Sequence, residues 1–130
     1  MLENHVDLTV LGTLRDVMEG EYPALLEVFI NDSEKRVREL NLLTQDAGFS
    51  AASAPHLQQV GMLAHSFKGS SGNMGAAHLS ELCRQLEDLA RGAGTVSDIQ
   101  VTHLVKAIDD EYSVVRDVFE VELQTALTRH

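Results

Sequence analysis

Residues 63–75 read Leu63-Ala64-His65-Ser66-Phe67-Lys68-Gly69-Ser70-Ser71-Gly72-Asn73-Met74-Gly75. Around this run, one side of a helix that turns about 100° per residue carries only apolar and small residues. These residues are Leu57, Val60, Ala64, Phe67 and Ser71. His65 lies roughly 140° from the centre of that stripe, so its imidazole is expected to face water. The pattern predicts an amphipathic helix from about Pro55 to Gly72 or Met74, with one exposed histidine.

Glycines lie one or two turns from His65 in the predicted helix, at Gly61, Gly69 and Gly72. A glycine inside a helix costs about 1 kcal/mol relative to alanine, so these positions call for a reason. We interpret the three as a clearing of residues without side chains around the imidazole. Gly69 lies far from the apolar stripe and nearly on the face of His65, so a side chain there is expected to crowd the ring.

The composition of the whole chain predicts a single helical domain over residues 1–130. Apolar residues make up 44% of the sequence, and its two prolines leave room for long helices. A net charge of −10 disfavours binding to nucleic acid and to anionic lipid. The sequence has no long apolar stretch and no basic segment before an apolar one, so we expect a cytoplasmic protein, and we expect it to be a monomer.

Helical spacing of apolar residues recurs along the chain. Asp7 is expected to cap a short first helix that ends near Gly20, and a second helix is expected from Tyr22 to Gly48. A fourth helix carries Cys83 on its apolar stripe and Glu87 off it, and is closed by Gly92-Ala93-Gly94. Ser53 and Ser97 are the expected caps of the third and last helices. We predict an all-α antiparallel up-down-up-down four-helix bundle with a short additional N-terminal helix.

The run around His65 resembles the phosphorylation motif of the histidine phosphotransfer (HPt) domains of bacterial two-component phosphorelays. The family pattern is roughly Ala-His-Ser-Leu-Lys-Gly-Ser-Ser, then a few residues, an apolar residue and Gly-Ala. The corresponding residues here run from Ala64 to Ala76, with Phe67 in place of the commoner leucine. The similarity continues into the next helix through Leu79, Leu82, Cys83, Leu86 and Glu87.

This resemblance implies a phosphocarrier without a kinase domain. His65 would accept a phosphoryl group from an aspartyl phosphate on a receiver domain, such as that of a hybrid sensor kinase, and pass it to a response regulator. A solvated imidazole is mostly neutral at pH 7, so a ring nitrogen can attack phosphorus without a general base. The receiver would bring Mg²⁺, and no cofactor or metal is expected on this chain.

The resemblance also suggests roles for the neighbours of His65. Lys68 is expected to stabilise the charge of the phosphoryl group, with an ordinary surface lysine as the alternative. Gly69 is expected to give the partner access to the imidazole. The expected receiver-docking residues are Gln58, Gly61, Met62 and Gly72.

Three other functions compete with a phosphocarrier. A helical adaptor could bind a receiver-like partner without carrying phosphate, although it would not need the His65-x-x-Lys68-Gly69 string. A metal-binding bundle is disfavoured because the sequence has no His-x-x-x-His or Glu-x-x-His pair. The phosphotransfer domain of a chemotaxis-type kinase would require a linked ATP-binding domain, which these residues do not supply.

Overall fold

The computed structural model describes residues 5–92 and 96–128, and all regular secondary structure in these ranges is helical. The helices are α1 (Leu8–Met18), α2 (Tyr22–Gln45), α3 (Ala54–Asn73), α4 (Ala77–Arg91) and α5 (Asp98–Thr128), with a 3-10 turn at Glu19–Glu21. Helices α2 to α5 form a four-helix bundle in which α3 packs most extensively against α4, and α2 packs against α5. The predicted fold class is confirmed. No helix among the described residues is long and apolar enough to span a membrane.

The predicted apolar stripe of α3 lies in the core of the bundle. Val60, Ala64, Phe67 and Ser71 are buried, and Leu57 is half-buried at the edge. The ring of Phe67 packs edge-on against Tyr112 of α5, with 6.2 Å between ring centroids. Cys83 of α4 is also buried, and burial raises the pKa of its thiol to about 12, so it is an inert packing residue.

Two of the three predicted N-terminal caps form the expected side-chain hydrogen bonds. Asp7 caps α1, because its Oδ1 accepts a hydrogen bond of 2.9 Å from the backbone N–H of Thr9. Ser97 and Gln100 form a reciprocal capping box at the start of α5. Ser53 occupies the expected cap position of α3, but its side chain makes no capping hydrogen bond.

The predicted C-terminal end of α2 differs from the structure, and that of α4 lies partly outside the described residues. Helix α2 ends at Gln45 and not at Gly48, because Asp46 is extended and its Oδ1 accepts a hydrogen bond from the N–H of Gly48. At the end of α4, Gly92 is the cap residue, while Ala93 and Gly94 lie outside the described residues.

The turn between α3 and α4 fixes the N-terminal segment against the bundle. Gly75 has φ of +81°, and a Cβ there would lie 3.0 Å from the Asp7 carbonyl oxygen and from Cβ of Val10. The backbone N–H of Asp7 donates a 2.8 Å hydrogen bond to the carbonyl of Gly75. The turn therefore requires glycine, and α1 flanks the bundle as predicted.

Candidate functional site

His65 lies on the exposed surface of α3, with 58% of its side chain accessible to solvent. This confirms the orientation predicted from the helical pattern. Its Nδ1 lies 2.7 Å from Oε2 of Glu87 on the neighbouring helix α4, and this contact orients the ring. The site therefore consists of an accessible imidazole that one side chain of α4 holds in place.

Glu87 is the central residue of this site. Only 6% of its side chain is exposed, and three groups surround its carboxylate. They are His65 Nδ1 at 2.7 Å, Lys68 Nζ at 2.7 Å and Arg91 Nη1 at 2.7 Å. A buried carboxylate is costly unless it is paired, and these contacts supply the pairing. Lys68, and then His65, hold the pKa of Glu87 below its ordinary value despite burial, so the group is ionised at neutral pH.

The ionised carboxylate determines which nitrogen of His65 carries the proton. A carboxylate can only accept hydrogen bonds, so Nδ1 of the neutral imidazole must be the donor to Glu87. The lone pair of the neutral ring is then on Nε2. Among the described residues, no side chain forms a hydrogen bond with that nitrogen. In its neutral form the ring thus presents its unprotonated nitrogen at an exposed position, which suits it to nucleophilic attack.

The three glycines near His65 differ in their surroundings. A Cβ on Gly69 would meet no atom within 4 Å, so this position is open as predicted. A Cβ on Gly61 would lie 3.4 Å from Cβ of Ala90, and one on Gly72 would lie 3.3 Å from Oγ of Ser80. The interpretation of all three as a clearing was therefore wrong for Gly61, which is buried against α4, whereas Gly72 is exposed but has Ser80 of α4 beside it. A wheel drawn for one helix does not show where the next helix passes.

The predicted docking residues are only partly brought together. Gln58 and Met62 are exposed on α3, and together with Gly61 they line a groove that ends at Ala90 and Arg91 of α4. Gly72 lies outside this groove, more than two turns further along α3. Contact of these residues with a partner stays a prediction.

Sequence reasoning missed the role of Glu87 and did not consider Arg91. Glu87 was placed off the apolar stripe, but it follows the buried Cys83 by four residues and is itself buried at the edge of that stripe. This spacing was a usable signal, since residues four apart share a helix face. Arg91 follows Glu87 by the same interval and pairs with it.

Comparison with known proteins agrees with this architecture. The family model of the Hpt domain matches residues 24–128. The crystal structure of histidine-containing phosphotransfer protein B from Pseudomonas aeruginosa PAO1 is similar at 39% sequence identity, with a TM-score of 0.76, over 93% of this chain and 96% of that chain. The crystal structure of the maize histidine-containing phosphotransfer protein ZmHP2 is similar at 21% sequence identity, with a TM-score of 0.71, over 88% of this chain and 84% of that chain. At this identity the similarity supports the fold alone.

No curated protein is similar enough to count as a match. Together with these similarities, the helical bundle and the exposed histidine identify the class of protein: a histidine phosphotransfer protein of two-component phosphorelays. The chain belongs to the Hpt domain family.

Replacing Glu87 by glutamine is expected to change the pH dependence of stability. The lowered pKa means that the ionised carboxylate stabilises the folded state above pH 4.5, its ordinary value, and that this stabilisation is lost as the pH falls below it. Glu87→Gln should therefore be less stable at pH 7, by about 1 kcal/mol, the typical net value of one hydrogen bond. Thermal melts of both proteins between about pH 7 and about pH 3 would show the difference shrinking in acid. An unchanging difference would contradict this account.

Proposed function

We propose that His65 accepts a phosphoryl group from the aspartyl phosphate of a receiver domain and transfers it to the aspartate of a second receiver. The first receiver would belong to a donor such as a hybrid sensor kinase, and the second to a response regulator. Family membership supports phosphotransfer in general. The observation that carries the finer proposal is the contact between His65 Nδ1 and Glu87, which leaves Nε2 available on an exposed ring.

The proposed transfer needs no general base on this chain. The Nε2 lone pair attacks phosphorus, the bond between phosphorus and the aspartate oxygen breaks, and the aspartate carboxylate leaves with its electron pair. The proton on Nδ1 stays in place, so the phosphorylated ring is an imidazolium cation. Ionised Glu87, 2.7 Å from Nδ1, would stabilise that positive charge. Attack by the second aspartate reverses these changes.

Two cations next to Glu87 would act on the phosphoryl group. Lys68 Nζ and Arg91 Nη1 both contact the carboxylate of Glu87, which also binds His65. Phosphoryl transfer depends chiefly on positioning and on neutralising the charge of the phosphoryl oxygens. In this proposal Lys68, one turn from His65 on α3, provides a cation for the phosphoryl group, and the receiver contributes Mg²⁺. The expected cytoplasmic location and monomeric state stay predictions.

A transfer assay with isolated receiver domains tests the proposal. The protein is mixed with each member of a panel of phosphorylated receivers and Mg²⁺, and the product is tested for acid-labile phosphate. We expect rapid labelling from at least one receiver and loss of the label to a second, unphosphorylated one. Binding of receivers without any labelling would overturn the proposal and favour the adaptor function.

Lys68→Ala is expected to slow transfer to His65 by about tenfold, equivalent to ~1.4 kcal/mol in the transition state. The reason is the loss of the positive charge beside the phosphoryl group. Stability should fall only slightly, because Arg91 and His65 still pair with Glu87. Lys106→Ala is a matched control with the same change in charge, since Lys106 is 77% exposed on α5. Equal transfer rates in the Lys68 and Lys106 variants would make Lys68 an ordinary surface lysine.

A further inference from the structure

We propose that Gly61 and Gly72 are positioning residues that hold α4 at the distance at which Glu87 reaches His65 and Lys68. The effect of these glycines on phosphoryl transfer rests on the proposed function of His65. Their effect on the contact between Glu87 and His65 does not. The two glycines lie on either side of His65 along α3, and each faces a different residue of α4. Gly61 faces Ala90, His65 faces Glu87, and Gly72 faces Ser80.

At Gly61 the two helices approach closely, because α3 contributes no side chain to the contact. Gly61 is buried, and a Cβ there would lie 3.4 Å from Cβ of Ala90 and 3.7 Å from Cγ of Arg91. A methyl group would make ordinary van der Waals contact, whereas a branched side chain such as leucine would press on Ala90 and Arg91 of α4. Because the spacing of packed helices depends on the side chains between them, this contact sets the distance on one side of Glu87.

At Gly72 the close approach lets α4 form a hydrogen bond with the backbone of α3. The hydroxyl of Ser80 donates to the carbonyl oxygen of Lys68 at 2.9 Å. Gly72 is exposed, but the same Oγ would lie 3.3 Å from a Cβ there, so any side chain requires the hydroxyl to shift by a few tenths of an ångström. This bond joins α4 to the turn of α3 that carries Lys68. The second contact therefore fixes the helices on the other side of Glu87.

Gly69 is the matched control that the chain itself offers. It is a glycine of the same helix, one turn from His65, but its Cβ position meets no atom within 4 Å. A side chain at Gly69 leaves the spacing between α3 and α4 unchanged. Any effect that is specific to Gly61 and Gly72 therefore comes from contact with α4 and not from the loss of a helical glycine.

The test measures which ring nitrogen of His65 carries the proton, by long-range ¹H–¹⁵N correlation spectra of unphosphorylated protein above neutral pH. We expect Nδ1 to be protonated in the natural protein, in Gly61→Ala and in Gly69→Leu. In Gly61→Leu and Gly72→Leu the contact with Glu87 should be lost, and the ring should show a mixture of both neutral tautomers. Receiver-dependent transfer should then fall at least tenfold. An Nδ1-protonated ring in folded Gly61→Leu and Gly72→Leu would overturn the proposal.

A milder variant keeps the test decisive if leucine unfolds the bundle. Gly72→Ala requires the Ser80 hydroxyl to move by only a few tenths of an ångström, so it should fold, yet it should weaken the bond to Lys68. We expect a measurable fraction of Nε2-protonated His65 in Gly72→Ala and none in Gly69→Ala. Identical spectra of these two variants would overturn the proposal. Because the spectra need no phosphate, failure of the proposed function would be seen separately, as absence of transfer in the natural protein.

Discussion

His65→Gln is expected to abolish phosphorylation of the protein while leaving the bundle folded. Glutamine has no ring nitrogen that could attack phosphorus, so no phosphohistidine can form. The imidazole is 58% exposed and lies opposite the buried stripe of α3, so its loss removes little packing. Glu87 keeps Lys68 and Arg91 as partners in the variant. We therefore expect a change in the free energy of unfolding of about 1 kcal/mol or less.

The measurement is labelling by a phosphorylated receiver with Mg²⁺, together with thermal melts of the same samples. His103→Gln is the matched control, because His103 is an exposed histidine of α5. The control should be labelled like the natural protein. Acid-labile phosphate in His65→Gln would mean that another residue carries the phosphoryl group.

Gly69→Leu is expected to remove most receiver-dependent phosphorylation of His65 without unfolding the protein. Nothing lies within 4 Å of the Cβ position of Gly69, so a leucine can be accommodated. Its side chain would stand one turn from His65 on nearly the same face and would obstruct the approach of the receiver aspartate. In-line phosphoryl transfer requires the aspartyl phosphate and the imidazole to be aligned, and misplacement of the reacting groups by about 1 Å can lower the rate about a hundredfold.

Gly69→Ala separates crowding from the loss of glycine. A methyl group is small, and alanine is favoured over glycine inside a helix by about 1 kcal/mol, so this variant should be neutral or slightly more stable. Circular dichroism melts measure the stability of both variants, and the transfer assay measures their receiver-dependent phosphorylation. Unfolding of Gly69→Leu would make Gly69 a packing residue, and normal transfer in that variant would show that the open space has no role in access.

The periodicity of the sequence was sufficient to predict the helices and their buried faces. Stripes such as Val60, Ala64 and Phe67 repeat at the helical interval, and helices with one apolar face must bury it against one another. The exposure of His65 and the open position of Gly69 follow from the same local geometry, because both depend only on angles around one helix axis. The motif around His65 also indicated the family that the comparisons show.

The contacts between α3 and α4 were decided by the tertiary structure. Whether Glu87 faces water or His65 depends on how the two helices are aligned, and 22 residues separate the two in sequence. The same alignment places Ala90 against Gly61 and Ser80 beside Gly72, so Gly61, which a helical wheel assigns to an open surface, is buried against a neighbouring helix. A wheel describes directions around one axis and contains no information on the distance to a second axis. The exposed histidine could therefore be predicted from the sequence, and the spacing of Glu87 from Cys83 indicated its burial, whereas the contact between Glu87 and His65 could be identified only once the helices were packed.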